Sequence, residues 1–310
     1  MKFYVGFTDK TWFDNLAALG PDEVNFWRPG GEEAFRALQP GELFLFKLKK
    51  PDDFIVGGGF FTRFSILPAS LAWDAFGTKN GRGSFIEFRS IINAYRKKKG
   101  KEELADPFIG CVVLTAPFFL PRGDWIPAPK NWSIHIVQGK LFDARDPDGA
   151  DIWEPLKKVL KTQTSSEPVS WDAIEVARYG KPHLTRNRLG QGGFRVSLIE
   201  AYARSCAMTG EKTLPVLTAA HIRPFAQDGP HMVSNGLLLR SDLHMLFDAG
   251  LVGVNPDLRI EVSGRIKSNF GNGRHYYALH GQHLQVVPKA ETDRPDLEFL
   301  DWHQRNVFQP

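Results

Sequence analysis

A break in the residue pattern near the middle of the chain is the feature that most limits how it can fold. The stretch Thr162–Pro168 is polar, and Gly180–Pro182 and Gly190–Gly193 interrupt any helical or strand periodicity. A chain of 310 residues is long enough for two domains of ordinary size. We therefore predict a first domain at 1–160, a linker at 161–193 and a second domain at 194–310.

Both domains have mixed patterns, so the predicted fold class is α+β. In the first domain we predict strands at 3–7, 43–48, 54–61 and 109–114, and helices at 11–19, 32–38 and 85–99. The glycines Gly57–Gly59 within the third strand indicate a bulge or a close approach of another backbone. The second domain is predicted to contain helices at 194–204 and about 242–249, a short strand ending at His221, a hairpin of 251–254 with 259–263, and a final helix around Trp302.

Composition restricts the class of protein. Hydrophobic residues make up 42% and charged residues 24%, which is typical of globular domains. The two cysteines, Cys111 and Cys206, form no CxxC pair, which argues against a disulfide framework or a zinc knuckle. No run approaches the roughly 18 apolar residues of a membrane helix, and the N-terminus lacks a signal-like apolar segment. We therefore expect a cytoplasmic protein without a membrane partner.

Positive charge is concentrated in one part of the sequence. The net charge is +4 and the pI is about 9.0. Between Arg178 and Arg240 there are nine basic side chains and three acidic ones. This pattern favours contact with a phosphate backbone, although a solvated basic face would give the same pattern. Candidate phosphate contacts are Arg195, Lys212, Arg223 and Arg240.

Four polar residues in the second domain have a spacing that suits phosphodiester cleavage. His221 ends a short apolar strand, Asn235 follows 14 residues later, and His244 follows nine residues after that. His244 and Asp248 are four residues apart in a predicted helix, so they share one face and can share a cation. A neutral histidine is a suitable base near neutral pH. Taken singly, each residue also fits a structural role: a hydrogen-bonded histidine, a turn at Asn235–Gly236, or a solvated aspartate.

The strings TAAHIRPF and SNGLLLRSDLHMLFDAGL resemble HNH endonucleases of the ββα-metal class, in the branch of bacterial restriction enzymes without a zinc ribbon. The resemblance covers about 194–263. It implies that His221 is the general base, that Asn235 orients the base or braces the loop, and that His244 and Asp248 bind one divalent ion (Mg, Mn, Co or Ni). Ala220 stands where such nucleases often have an aspartate or histidine ligand, which leaves that position to water or to another side chain such as Asp242. His231 lies in the same loop without a predicted role.

The strings VNFWRPGGEEAFRALQPGELFLFKL and FIVGGGFF resemble the PUA-like fold in its EVE-type form. The resemblance implies a β-barrel or sheet with helices. PUA-like domains fused to HNH nucleases act as readers of modified bases, and a flipped base needs stacking surfaces and polar partners. The candidate pocket residues are Asn25, Phe26, Trp27, Arg28 and Trp73. The alternative is that these aromatic residues belong to the core.

Together the two resemblances imply a restriction endonuclease, active in phage defence, that cuts double-stranded DNA containing a methylated or hydroxymethylated cytosine. A homodimer would supply two active sites for two strand cuts. Two alternatives remain: an HNH endonuclease specific for an unmodified sequence, and a catalytically inactive nucleic-acid-binding module.

Overall fold

The computed structural model describes residues 1–30, 34–129, 132, 138–163 and 189–310. The chain divides into two compact units, Met1–Asn187 and Arg188–Pro310, here called unit 1 and unit 2. Most of the predicted linker lies outside the described residues. Among the described helices, none combines the length and apolar character needed to cross a membrane. Both units mix helices and strands, so the predicted α+β class is confirmed.

Unit 1 is built on one mixed sheet. Its described strands are β1 (Lys2–Thr8), β2 (Glu23–Arg28), β3 (Leu43–Leu48), β4 (Phe54–Pro68), β5 (Phe108–Phe119), β6 (Ile126–Pro127) and β7 (Gly139–Asp143). The strand order is β2-β5-β4-β3-β1-β7, and β6 adds to β4. β1 and β3 are parallel, and the other pairs are antiparallel. The sheet predicted for this domain is therefore present, but among the described strands β2 and β7 do not pair, so the predicted barrel is not closed.

The long strand β4 shows why three glycines lie within a strand. A Cβ on Gly57 would lie 2.3 Å from the carbonyl oxygen of Phe118, and one on Gly58 would lie 2.7 Å from that of Phe44. The register of β4 with β5 also shifts between Gly58 and Phe60. Both the bulge and the close backbone approach predicted from the glycines are confirmed, in the part of β4 that pairs with both β3 and β5.

The described helices of unit 1 are α1 (Lys10–Leu19), α2 (Ala69–Phe76), α3 (Phe85–Lys98) and α4 (Pro147–Gln163). Polar caps fix two of the starts. The Asp9 carboxylate accepts a hydrogen bond from the backbone N–H of Trp12, and the Ser84 hydroxyl accepts one from that of Glu87. The predicted helices at 11–19 and 85–99 are confirmed.

The helix predicted at 32–38 is wrong for the residues that the structure describes there. Residues 34–38 are not helical, yet Phe35 and Leu38 are buried. The ring of Phe35 contacts those of Tyr4 and Phe61, with centroids 5.0 and 5.4 Å apart. The apolar spacing therefore reflects insertion of this segment into the core of unit 1 rather than helical periodicity.

Unit 2 carries a strand–strand–helix arrangement. Its described elements are α5 (Gln191–Ala201), β8 (Leu217–His221), β9 (Gly236–Arg240), α6 (Ser241–Asp248), β10 (Val252–Val254), β11 (Ile260–Val262), α7 (Arg265–Phe270), α8 (Arg274–Tyr277) and α9 (Leu297–Asn306). β8 and β9 are antiparallel, with His221 opposite Gly236. α6 follows β9 directly and buries Leu243 and Phe247. The elements predicted for this domain are confirmed, although α5 begins three residues earlier than predicted and ends at Ala201.

The end of α6 is held by α9. Gly250, two residues after the last residue of the helix, adopts a positive φ of 69°, and its N–H donates to the Phe247 carbonyl. The buried ring of His303 on α9 stacks on Phe247 at a centroid distance of 3.8 Å, and its Nε2–H donates to the same carbonyl at 3.1 Å. The helix that carries His244 and Asp248 is therefore fixed at its C-terminal end.

Candidate active site

His221 lies at the end of β8, on a surface made by α5 and the following loop. Its ring stacks on Phe194 with centroids 4.0 Å apart and an interplanar angle of 14°. Its Nε2 is 2.9 Å from Nδ1 of His231, which in turn stacks on Phe225 at 4.6 Å. The Phe194 ring therefore covers one face of the His221 ring, and His231 contacts its edge.

The surroundings of His221 favour the neutral imidazole. Burial and, to a smaller extent, the imidazoles of His231 and His244 lower the pKa of His221 to about 4, while Asp248 opposes the shift. A group with this pKa is uncharged at neutral pH and can accept a proton.

Asn235 is fully buried and ties the loop between β8 and β9 together. Its Oδ1 accepts from the backbone N–H of Arg223, and its Nδ2 donates to the carbonyls of Arg223 and Pro230, each at 2.9 Å. Its backbone carbonyl accepts from the N–H of Ile222. All the side-chain bonds of Asn235 go to the loop, so its geometry is that of a brace.

Asn235–Gly236 is not a hairpin turn. Gly236 has an extended backbone (φ −147°) and is the first residue of β9. A Cβ at this position would lie 2.7 Å from side-chain atoms of both Phe194 and Leu198. The glycine therefore lets α5 approach β9 closely enough for Phe194 to reach the ring of His221.

His244 and Asp248 face each other along α6. Nε2 of His244 is 3.2 Å from Oδ2 of Asp248, and both side chains reach solvent, with exposed fractions of 24% and 62%. Nδ1 of His244 is 2.9 Å from Oγ1 of Thr218 on β8. Thr218 also lies 3.4 Å from the carbonyl of Leu239. Because that carbonyl can only accept, the Thr218 hydroxyl donates to it and accepts from Nδ1–H of His244. Nε2 of His244 then faces Asp248, and it carries the lone pair in the neutral ring and an N–H in the imidazolium.

The position before His221 adds no ligand. Ala220 is buried and lies two residues from Thr218, so both side chains are on the face of β8 that α6 covers. Asp242 does not fill the gap. Its carboxylate forms two hydrogen bonds with Arg240, at 2.6 and 2.7 Å, and one with Tyr276 at 3.3 Å. In the part of the chain that the structure describes, no three His, Cys, Asp or Glu side chains group closely enough to hold a metal ion.

The four residues predicted to contact phosphates differ in their surroundings. Lys212 is exposed, whereas Arg240 is paired with Asp242. The Arg223 guanidinium lies over the Trp302 ring at 5.5 Å, and its Nε–H donates to the Gln227 carbonyl. Arg195 is half-buried, and its Nε has no hydrogen-bond partner among the described residues. Lys212 is thus the most accessible of the four, and the phosphate roles remain predictions.

Unit 1 contains a cavity of about 370 Å³ next to three of the predicted pocket residues. Its described lining includes Phe26, Trp27 and Arg28 together with Trp12 and Tyr95. This volume falls within the range of about 300–1,000 Å³ that is usual for small-ligand sites. The Trp27 indole is half-buried, and its Nε1–H donates to the Asn80 carbonyl at 3.0 Å.

Two of the predicted pocket residues lie elsewhere. Asn25 is fully buried, and its Nδ2 donates to Oδ1 of Asn80 at 2.8 Å. Asn25 is not among the described residues that line the cavity. Trp73 packs against Phe85 and Phe88, and it is not among the described residues that line the cavity.

The sequence did not single out Phe194 or Thr218 as site residues. Phe194 carries no chemical signal, since an apolar residue in a helix is expected to be core. Thr218 lies three residues before His221, but its contact with His244 depends on how α6 folds back onto β8. His231 lies in the predicted loop, and its contact with His221 likewise depends on the fold.

Comparison with known proteins identifies the segment that carries these residues. A family model described as HNH endonuclease matches residues 206–255, which contain β8, β9, α6 and β10. Residues 206–255 therefore form an HNH endonuclease domain. One similar solved structure is a "Modification dependent TagI restriction endonuclease", with 21% sequence identity and a TM-score of 0.28. The similarity covers 40% of this chain and 39% of that one. None of the curated proteins compared with the chain matches it.

Proposed function

We propose that this chain is a modification-dependent DNA endonuclease, in which the HNH domain of unit 2 cuts and unit 1 reads a modified base. One observation carries the nuclease part of the proposal: the segment that matches the HNH endonuclease model folds as β8, β9 and α6, with His221 at the end of β8 and the pair His244–Asp248 on α6. These are the residues whose spacing the sequence already associated with phosphodiester cleavage.

The pair His244–Asp248 fits a divalent metal ion. Nε2 of His244 and the carboxylate of Asp248 face each other at 3.2 Å, an arrangement that is favourable only when a proton or a cation lies between them. One imidazole and one carboxylate suit Mn, Co or Ni, whereas Mg usually keeps several waters and few protein ligands. When bound, the ion supplies Lewis-acid stabilisation of charge on the scissile phosphate.

His221 is proposed as the base. Its neutral ring takes a proton from the water that attacks phosphorus, and Phe194 and His231 hold the ring during the transfer. Asn235 acts indirectly, because its hydrogen bonds fix the loop that begins at the end of β8. Lys212 and the arginines of unit 2 provide positive charge for the DNA backbone.

Recognition of a modified base is assigned to the cavity of unit 1. A flipped base needs a stacking surface and polar groups at its edge. Trp27 and Tyr95 supply half-buried rings, and Arg28 supplies hydrogen-bond donors at the same cavity. A methylated or hydroxymethylated cytosine is the proposed target, and phage DNA containing such a base is the proposed biological substrate.

A cleavage panel tests both parts of the proposal. Duplexes containing cytosine, 5-methylcytosine or 5-hydroxymethylcytosine are incubated with Mg²⁺, Mn²⁺, Co²⁺ or Ni²⁺, with His221→Ala as the control variant. We expect at least one modified duplex to be cut more than 10-fold faster than the plain duplex. Loss of the general base is expected to lower the rate by about 10²–10⁴-fold.

Other outcomes point to other functions. Equal cutting of plain and modified duplexes would indicate an endonuclease for unmodified DNA. No nicking with any metal would indicate a binding module. A His221→Ala variant as active as the parent would refute the base assignment. The proposed homodimer is checked by sedimentation of the protein with and without DNA.

A further inference from the structure

A row of positive side chains surrounds the cavity of unit 1. The cavity adjoins a groove of about 620 Å³, and the two share Pro29, Gly30, Tyr95, Lys99 and Gln138 in their linings. The basic side chains in the two linings, here called the basic rim, are Arg28, Lys49, Arg96, Lys99 and Lys101. The sequence had named only Arg28 of these side chains as a candidate contact, for the base pocket.

The described linings contain almost no opposing charge. Asp9 is the only carboxylate among them, and it is paired with the buried Arg82 at 2.6 Å. Within the described residues, no carboxylate lies within ion-pairing distance of Lys49, Arg96 or Lys99, whereas Lys10, Lys79 and Lys157 of the same unit each have one. Like charges are therefore concentrated at the cavity.

The ending of α3 does not require these charges. Its last carbonyls accept hydrogen bonds from backbone N–H groups. The N–H groups of Lys99 and Lys101 donate to the Arg96 carbonyl, and the N–H of Gly100 donates to the Lys97 carbonyl. The Arg96 side chain is directed to the next turn, where its Nε–H donates to the Glu102 carbonyl. Interaction with the helix dipole stabilises a cation by only about 0.3–1 kcal/mol at an exposed end. The helix dipole also does not explain Lys49, which lies after β3. The Lys49 ammonium donates to the Tyr95 hydroxyl and lies over the Tyr95 ring.

We propose that the basic rim binds the phosphates of the DNA strand on either side of a nucleotide whose base enters the cavity. The inference rests on the proposed function and adds the surface by which unit 1 holds the DNA backbone. Lysines at the mouth of an aromatic cavity suit this ligand, because a nucleotide in a strand presents a flat base and charged phosphates a few ångströms apart. Lys49 and Lys99 are the principal phosphate contacts.

The test measures the salt dependence of DNA binding by the full-length protein. In a His221→Ala background, which prevents cutting, Lys49→Gln and Lys99→Gln are combined. The dissociation constants for a plain and a 5-methylcytosine duplex are then measured by fluorescence anisotropy from 50 to 300 mM KCl. Each lost phosphate contact lowers the slope of log K against log salt by about 0.9. We therefore expect the slope to fall by about two, with at least 10-fold weaker binding of both duplexes at low salt.

A matched control separates the rim from general charge. Lys157 lies on α4, is paired with Glu154 and lines neither cavity, so Lys157→Gln should leave the slope near that of the parent. Thermal melting checks that the double variant is folded. An unchanged slope in a folded double variant overturns the proposal.

The affinity ratio of the two duplexes reports base reading separately. A reduced slope with a ratio of one supports the rim and refutes the proposed modified-base recognition. An unchanged slope with a ratio above one refutes the rim and leaves base recognition standing.

Discussion

Thr218 sets the orientation of His244. Its hydroxyl accepts from Nδ1–H of His244 and donates to the Leu239 carbonyl, which leaves Nε2 facing Asp248. A metal-binding histidine commonly donates its other N–H to an acceptor that fixes the ring and its tautomer. We therefore assign Thr218 as a positioning residue for the proposed metal site.

Replacing Thr218 by valine removes this acceptor and keeps the shape of the side chain. We expect Thr218→Val to weaken Mn²⁺ binding by about 10–100-fold, the range found for partners of metal-binding histidines. Isothermal titration calorimetry with Mn²⁺ and the DNA-free protein measures the change. Thr218→Ser keeps the hydroxyl and should bind Mn²⁺ within about threefold of the parent. Equal affinity in the valine variant would remove Thr218 from the metal site.

At the scale of elements, one asparagine joins the two ends of the loop between β8 and β9. Asn235 bonds to Arg223 near the start of the loop and to Pro230 near its end. Because its amide is fully buried, removal of the amide leaves backbone groups without partners in a place that water reaches poorly.

Asn235→Ala is expected to lower the free energy of unfolding by about 2–4 kcal/mol, because more than one buried polar group loses its partner. Amide hydrogen exchange in 222–232 should rise before that in α6, since the loop loses its brace first. Urea denaturation and exchange mass spectrometry give the two readouts. Ser234→Ala, a change at the neighbouring position that leaves the Asn235 amide in place, serves as the control. An unchanged exchange rate in the loop would contradict the bracing role.

The contact between α6 and α9 should make unit 2 sensitive to acid. Burial lowers the pKa of His303 to about 4, below the value of about 6.5 expected in the unfolded chain. Between these values the unfolded state binds the additional proton. The stability contribution of neutral His303 is therefore complete above pH 6.5 and is lost as the pH falls towards 4.

We expect the free energy of unfolding to decrease by about 2 kcal/mol between pH 7.5 and pH 5 because of His303, on the basis of its pKa shift. His303→Gln keeps a donor for the Phe247 carbonyl but does not titrate in this range. The free energy of unfolding of this variant should therefore decrease less over the same pH interval. Urea unfolding followed at several pH values tests this. Parallel pH profiles for parent and variant would show that protonation of His303 does not control the loss.

At the scale of the whole molecule, the proposal divides recognition and cutting between the two units. Each unit has its own site: the cavity with Trp27 in unit 1, and the pair His244–Asp248 with His221 in unit 2. A change confined to one site should therefore alter one property of the enzyme and leave the other.

Trp27→Ala should abolish the preference for a modified over a plain duplex, because a flipped base loses a stacking surface worth about 1–3 kcal/mol. Binding of Mn²⁺ should remain at the parental value, since the metal site is in unit 2. Competition cleavage of the two duplexes measures the preference. Trp27→Phe keeps an aromatic ring and should retain part of the preference for the modified duplex. A full preference in the alanine variant would exclude Trp27 from base recognition.

Much of the active-site element was predictable because its determinants are local. The strand ending at His221, the helix with His244 and Asp248, and the glycine after that helix all lie within about 30 residues of sequence, where hydrogen bonding and periodicity act directly. The glycines of β4 were equally informative, because few other residues allow such close backbone contact.

The remaining features depend on contacts between distant residues, which only the tertiary structure decides. Phe194 reaches His221 because α5 packs against Gly236, and Thr218 meets His244 because α6 folds back onto β8. In unit 1, Phe35 enters the core without a helix, and the cavity combines residues from Phe7 to Gln138. The sequence by itself determined the local ββα element and the candidate residues that it carries. The packing determined their orientation, because side chains far apart in sequence meet only when whole elements bury their apolar faces together.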